Sequence, residues 1–355
     1  SAGAGKETPG PAGQVITLPR AVGGNRRVVS FAMKILVTGG AGYIGSICAE
    51  QLLEEGYEVA VFDNFSEGHR AAVDTRAELI EGDLNDREAI RAAMGRVRPS
   101  AVMHFAAFAL VGESMTDPGK YFRNNVGGGV NLLDAMVEYG VKRIVFSSTC
   151  ATYGIPERMP VDEEESQRPI NPYGASKLIF ENILAWYDRI HGVRHVNLRY
   201  FNAAGASARF GEDHRLETHL IPNILRVALG RKERVEIFGT DYDTPDGTCL
   251  RDYIHIIDLY QAHRLALDFP GSGSFNLGSG RGSSVLEVIE VCRRITGKPI
   301  PAVEKPRRPG DPPRLIASSA QAREVLGWKP RYDDLGVIVE SAWKWHRDHP
   351  AGYGD

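Results

Sequence analysis

From Met33 onward, short apolar runs alternate with longer amphipathic stretches, and this alternation narrows the possible folds more than any other feature of the chain. The runs are Lys34-Ile35-Leu36-Val37, Glu58-Val59-Ala60-Val61-Phe62, Ala101-Val102-Met103-His104-Phe105, Arg143-Ile144-Val145-Phe146 and Val196-Asn197-Leu198-Arg199-Tyr200. They are too continuously apolar for strands with one wet face, and read as strands buried on both sides of a parallel sheet. Segments 42 to 55, 118 to 139 and 174 to 190 carry helical periodicity. Strand and helix in turn predict an α/β fold built on a doubly wound parallel sheet.

After about Phe201 the alternation loosens, with a turn-rich stretch from Gly239 to Gly247 and a Pro-rich one from Lys305 to Pro313. A second, smaller mixed α/β domain is therefore expected over 204–355. The first would span 33–203, with a strongly patterned return segment at 251–270. Residues 1–32, rich in Gly, Ala and Pro, read as an extension or tag.

A chain of 355 residues, 43% hydrophobic and 25% charged, is long enough for two such cores. Its 42 Lys and Arg against 45 Asp and Glu, without a long run of one sign, argue against a nucleic-acid or anionic-membrane partner. No stretch is long and apolar enough for a membrane span. Cys48, Cys150, Cys249 and Cys292 lie far apart with no C-x-x-C pair. That spacing argues against a disulfide framework or a structural zinc site, so reduced thiols, a cytoplasmic location and no metal are expected.

The first strand runs into Thr38-Gly39-Gly40-Ala41-Gly42-Tyr43-Ile44-Gly45, where Gly39, Gly42 and Gly45 form G-x-x-G-x-x-G at the start of a helix. Such glycines let the backbone approach a pyrophosphate, and the helix N-terminus offers free N–H groups and positive potential. Asp63 ends the second strand, 18 residues after Gly45. An acidic side chain there can accept from the adenosine ribose hydroxyls and repel a 2′-phosphate, which favours NAD over NADP. A turn Asp is the plainer alternative. Asp83-Leu84, after the third strand, could bracket the adenine or simply make another turn.

Tyr173-Gly174-Ala175-Ser176-Lys177 puts a phenol and an ammonium at i and i+4 on one helix face. By spacing alone this could be a packing Tyr and a surface Lys. Ser147-Ser148-Thr149, just after the fourth run, lies at the sheet end where ligands of such folds bind. A Tyr with an ordinary pKa of about 10 is only ~0.1% phenolate at pH 7, so a useful base needs about 4 kcal/mol of help. A Lys charge about 6 Å away at an effective dielectric near 20 supplies about 3 kcal/mol, and a positive nicotinamide ring could supply the rest. Thr149 would hold or relay a substrate proton.

Other segments join these: Val111-Gly112-Glu113-Ser114, Asn124-Asn125-Val126, Asn171-Pro172-Tyr173-Gly174, Arg199-Tyr200-Phe201-Asn202, Asp246-Gly247-Thr248 and Arg251-Asp252-Tyr253-Ile254-His255. In this order they resemble the extended short-chain dehydrogenase/reductases, and within them the nucleotide-sugar 4-epimerases acting on UDP-glucose and UDP-galactose. The resemblance runs from Met33 to near Asp355. It implies a Rossmann sheet, NAD as a tightly held cofactor, a UDP-sugar substrate and a homodimer formed through helices near 118–139 and 174–190.

It further implies that Tyr43, Ile44, Asn64, Phe105, Ala106, Ala107, Asn124 and Tyr200 contact the cofactor and that Lys177 bonds the nicotinamide ribose. Asn202, Leu220, Phe238, Arg251, Arg308 and Asp311 would hold the UDP part. Tyr173 would take the sugar 4-hydroxyl proton while hydride leaves C4. The 4-keto sugar would then turn over and be reduced on its other face.

Several positions depart from the family pattern. Ala109 stands where a Lys is usual, Thr218-His219 replace an Asn pair, Thr149 replaces Ser, and Leu315 occupies the position that gates a 2-acetamido group. Thr149-Cys150-Ala151-Thr152-Tyr153-Gly154 also resembles epimerases of UDP-pentoses, and uronic or N-acetylated sugars stay open. A dehydratase is disfavoured because Cys150 and Ala151 stand where it needs an acid. A dehydrogenase exchanging free cofactor is a further alternative. A non-catalytic dinucleotide sensor would not need the Tyr and Lys pair.

Overall fold

The computed structural model describes residues 33–308 and 311–354; the expected extension at 1–32 lies outside them. Its strands are β1 Lys34–Thr38, β2 Glu58–Asp63, β3 Glu78–Glu81, β4 Ala101–His104, β5 Arg143–Thr149, β6 Arg194–Tyr200, β7 Asn202–Ala204, β8 Val235–Phe238, β9 Leu250–His255, β10 Gly273–Leu277, β11 Gly282–Ser284, β12 Ala302–Lys305 and β13 Arg314–Leu315. Seven form one sheet in the order β10-β6-β5-β4-β1-β2-β3, with every pairing parallel. The order reverses between β1 and β4, which opens a crevice at the carboxyl ends of those strands.

The apolar runs are continuous because both sheet faces are covered. Ile35 and Val37 point into a cluster shared with helices Tyr43–Glu54 and Ile256–Asp268. Leu36, between them, points into a second cluster with helices Arg87–Val97, Gly129–Glu138 and Pro172–His191. All three side chains are fully buried, each worth about 2 kcal/mol.

Beyond β6 the chain builds a smaller assembly. β9 is flanked by β7, β11 and β13, and β8 pairs with β12. Helices Leu220–Ala228, Val285–Thr296 and Leu335–Asp348 share a third cluster there. The chain then returns to the large sheet: helix Ile256–Asp268 packs on the β1 face and β10 becomes the edge strand beside β6. β10 lies beyond the 251–270 stretch read as the return segment.

Helix Pro172–His191 has clear local causes. Asn171 caps it by accepting from the Gly174 N–H at 2.8 Å, Pro172 sits in the first turn, and Gly192 at φ 68° ends it. Segment 118–139, expected as one helix, is interrupted by a π-helical stretch at Phe122–Gly128. That turn carries Asn124 and Asn125. The Asn125 amide donates to the Phe108 carbonyl and to Ser176 Oγ and accepts from the Phe108 N–H, so side-chain bonds tie the loop after β4 to the widened turn and to helix Pro172–His191.

Candidate active site

A cavity opens where the sheet order reverses. Its walls include Gly39, Gly42, Asp63, Asn64, Asp83, Leu84, Phe105, Ala106, Ala107 and Asn124, ten of the residues expected to meet a cofactor. They converge because each follows the carboxyl end of β1, β2, β3 or β4, or lies on the π turn beside it. Phe62, Ser66, Gly68 and Phe108 line it too, and sequence reasoning had not singled them out.

The three glycines do different work. Gly39 has φ +73°, and a Cβ there would stand 2.4 Å from the Ala106 nitrogen. A Cβ on Gly45 would meet the Gly39 carbonyl oxygen at 2.2 Å. Both glycines answer to packing inside the chain. Gly42 is the N-cap of helix Tyr43–Glu54, and a Cβ there would find only that oxygen, at 3.4 Å. Its smallness keeps the cavity wall low at a helix N-terminus, which suits a pyrophosphate.

The Asp63 carboxylate accepts from the Ala41 N–H at 2.9 Å and the Phe65 N–H at 2.8 Å, fixing the glycine turn to the end of β2. Each oxygen retains a second lone pair for a ribose hydroxyl. Burial pushes its pKa up against these backbone bonds. Asn64 donates to Asp83, and Asn85 donates to both Asp83 and Asn124, so the far wall is one polar chain. Burial raises the Asp83 carboxyl, but the Asn85 N–H and the Asn64 and Asn85 amides outweigh it and leave it below its ordinary value.

Tyr43, Ile44, Gly45, Tyr200, Tyr173 and Lys177 are not part of that wall. The Tyr43 hydroxyl donates to the Gly205 carbonyl at 2.7 Å, and Tyr200 bonds Ser147 Oγ. Ile44 is half-buried against the first core cluster. Tyr173 and Lys177 sit on one face of their helix, the ammonium 6.0 Å from the phenol ring centre. Thr149 ends β5, and its hydroxyl accepts from the Ala151 N–H.

The expected depression of the phenol does not arise within the protein alone. Burial pushes Tyr173 up to about 12, and a hydrogen bond from Thr149 offsets only part of this. Burial brings Lys177 down to about 7, against the pull of the Glu181 carboxylate. The lysine donates to the Ser147 carbonyl at 2.8 Å.

Beneath this pair lies a network missed in the sequence. Glu181 and Arg199, both nearly solvent-free, pair at 2.6 Å. Arg199 also donates to the Tyr153 hydroxyl at 2.9 Å, which donates to Asn276 Oδ1 at 2.7 Å. Glu181 stands one turn beyond Lys177, and Arg199 interrupts an apolar strand; those were the available signals.

The residues expected to hold UDP surround β9. Asn202 donates to the Asp252 carbonyl at 2.8 Å, Leu220 opens its helix and Phe238 ends β8. Arg251 is paired with Asp311, and the Arg308 guanidinium stacks 3.9 Å above the Phe238 ring.

Fold and site together define a dinucleotide-binding α/β protein with a buried Tyr/Lys/Thr centre at the carboxyl edge of its sheet. The chain belongs to the NAD dependent epimerase/dehydratase family, whose model matches residues 35–278. It is 55% identical over 332 residues to a UDP-glucose 4-epimerase of Streptococcus mutans serotype c, covering 91% of this chain and 99% of the relative. Among solved structures it is similar to a UDP-glucose 4-epimerase from Brucella ovis in complex with NAD, with 48% identity, a TM-score of 0.86 and coverage of 88% and 98% of the two chains. A UDP-glucose 4-epimerase from Bifidobacterium longum in complex with NAD+ and UDP matches with 37% identity and a TM-score of 0.86 over 90% of this chain and all of that one.

Proposed function

We propose that the chain epimerises C4 of a UDP-sugar, UDP-glucose and UDP-galactose being the leading pair, with NAD as its resident cofactor. The observation that carries the reading is the Tyr173, Lys177 and Thr149 group at the sheet end next to a cavity walled by the glycine turn and Asp63. The cavity fits NAD: Gly42 leaves room at a helix N-terminus, and the Asp63 carboxylate suits a free ribose hydroxyl and opposes a 2′-phosphate.

When bound, NAD would supply the acceptor and donor for the hydride of the sugar C4. The chain's own part is acid/base and positioning. Tyr173 as phenolate accepts the 4-hydroxyl proton and later returns it to the same oxygen, so the cycle neither gains nor loses a proton. Thr149 donates toward the phenol oxygen and can hand the proton on. Lys177, held by the Ser147 carbonyl, has two further N–H donors for the ribose beside the phenol.

Arg251 and Arg308 are assigned to the pyrophosphate, where charge-assisted hydrogen bonds are strongest, and Asp311 to the uridine ribose. Asn202, Leu220 and Phe238 complete that set. Because Arg251 is held by Asp311 beforehand, the incoming diphosphate exchanges one anionic partner of the guanidinium for another. On this reading residues 33–203 bind the cofactor, with the return made by helix Ile256–Asp268 and β10 where 251–270 was expected, and the rest of 204–354 binds the nucleotide sugar.

The test is an NMR time course of UDP-glucose, UDP-N-acetylglucosamine, UDP-glucuronate and UDP-xylose, each with purified protein and no added NAD. Appearance of C4 epimers supports the reading; 4-keto-6-deoxy product or net NADH would replace it. Helix Pro172–His191 exposes Ile179, Trp186 and Ile190 along one stripe, and Phe122 is exposed at the π turn. These supply the apolar face for a homodimer. Among the described residues no helix is long and apolar enough to cross a membrane, and the four cysteines are free.

A further inference from the structure

The loop between β7 and helix Leu220–Ala228 carries a cluster that the catalytic scheme leaves unused: Glu212, His214, Glu217 and His219. One donor atom from each lies within 4.8 Å of all the others. Both imidazoles turn onto the same oxygen, Glu212 Oε1, His214 through Nε2 at 3.2 Å and His219 through Nδ1 at 3.0 Å. His219 Nδ1 is also 2.9 Å from Glu217 Oε1. A tetrahedral centre with bonds of about 2.0–2.2 Å sets its ligands about 3.3–3.6 Å apart, so the four groups already stand near coordination spacing.

A second observation points the same way. The Glu217 side chain is 0% exposed, yet its Oε2 has no hydrogen-bond partner. The Glu212 side chain is only 5% exposed. Two enclosed carboxylates converging with two imidazoles call for a compensating positive charge at their centre.

We propose that this cluster binds one divalent cation of the zinc class, through His214 Nε2, His219 Nδ1 and one oxygen each of Glu212 and Glu217. The ion's charge of +2 balances the two carboxylates. Paired imidazoles favour zinc, and disfavour magnesium and calcium, which take all-oxygen shells. His219 is the N-cap of helix Leu220–Ala228, and the His214 ring stands edge-on to Tyr43 at 6.2 Å. The cation therefore staples a loop between the glycine-turn helix and the helix opened by Leu220. Cysteine spacing had suggested no metal; a mixed His and Glu set lay outside that criterion. The proposal does not rest on the epimerase reading.

The test strips the full-length protein with a chelator, desalts it and titrates ZnCl2 by calorimetry, with metal content checked by mass spectrometry. One equivalent per chain is expected, with cobalt giving the visible bands of a tetrahedral site and excess MgCl2 failing to displace zinc. His214→Ala, at a part-exposed position, should keep its circular dichroism and bind zinc at least about tenfold more weakly. His219→Gln is the second variant should the first fail to fold. Wild-type protein without stoichiometric zinc, or a folded His214→Ala with undiminished affinity, would overturn the proposal and leave an imidazolium held between two carboxylates.

Discussion

The Lys177 ammonium stands 6.0 Å from the centre of the Tyr173 ring but gives its hydrogen bond to the Ser147 carbonyl. Burial drives the two proton affinities apart, Lys177 down to about 7 and Tyr173 up to about 12. An unfolded lysine titrates near 10.4. Between about 7 and that value the unfolded chain holds a proton the folded one lacks, so this residue's contribution to stability rises with pH across the window. Below about 7 the buried charge is carried at full cost. Lys177→Met is expected to raise Tm of cofactor-depleted protein more at pH 6 than at pH 9, while abolishing turnover. Equal gains at both pH values would show that the lysine charge is not the cause.

Tyr173→Phe removes the proton acceptor without changing shape. A loss of about 10²–10⁴ in kcat is expected, with NAD content unchanged. Thr149→Val should lose less and Thr149→Ser little, as read by NMR of the sugar C4 signals.

Asp63 ties down two backbone N–H groups in addition to facing the cavity. Asp63→Ala is expected to cost about 1–3 kcal/mol for each unpaired group. Asp63→Asn retains one acceptor oxygen and should separate the roles. Denaturant titration should find it about 1–3 kcal/mol less stable than wild type, because one of the two backbone N–H groups then faces an amide nitrogen, while chromatography of released nucleotide finds less NAD and a weakened preference against NADP.

The buried Glu181 and Arg199 pair supports the helix below Lys177. Glu181→Leu or Arg199→Met alone is expected to destabilise by about 3–5 kcal/mol, because each leaves an uncompensated charge. Glu181→Leu with Arg199→Met should recover most of that loss. Urea unfolding of the four proteins closes the cycle; additive losses would mean the two side chains act independently.

Trp186 and Ile190 are 57% and 66% exposed on the outer face of helix Pro172–His191. Trp186→Glu with Ile190→Glu should give a monomer in sedimentation where the parent protein is a dimer. A parent protein that is monomeric at micromolar concentration would remove the dimer from the reading.

What could be seen in the sequence was what neighbours in sequence decide. β1 was legible because Ile35, Leu36 and Val37 are buried on alternate faces, which leaves an unbroken apolar run. The glycine turn was legible because its three glycines fall within seven residues, although Gly39 answers to Ala106 in a distant strand end. β10 was not, since Gly-Ser-Phe-Asn-Leu acquires its place only by pairing with β6, more than seventy residues earlier. The same holds for Glu181 and Arg199, whose charges make sense only once helix and strand meet. In segment 118–139 apolar periodicity indicated helix, and a stretch as short as Phe122–Gly128 is too brief for a change of period to show. Its signal lies in the paired Asn124 and Asn125, whose bonds run to neighbouring elements.

β10 also has a meaning for synthesis. Until the ribosome has made Leu277, β6 has an unpaired edge, and Ile35 and Val37 lack the helix Ile256–Asp268 that covers them. A nascent chain that has completed the glycine turn and helix Pro172–His191 is thus still open along one border, offering backbone donors and acceptors to any passing strand. The Thr149, Tyr173 and Lys177 group is encoded by residue 177, but its supporting sheet is not complete until Leu277.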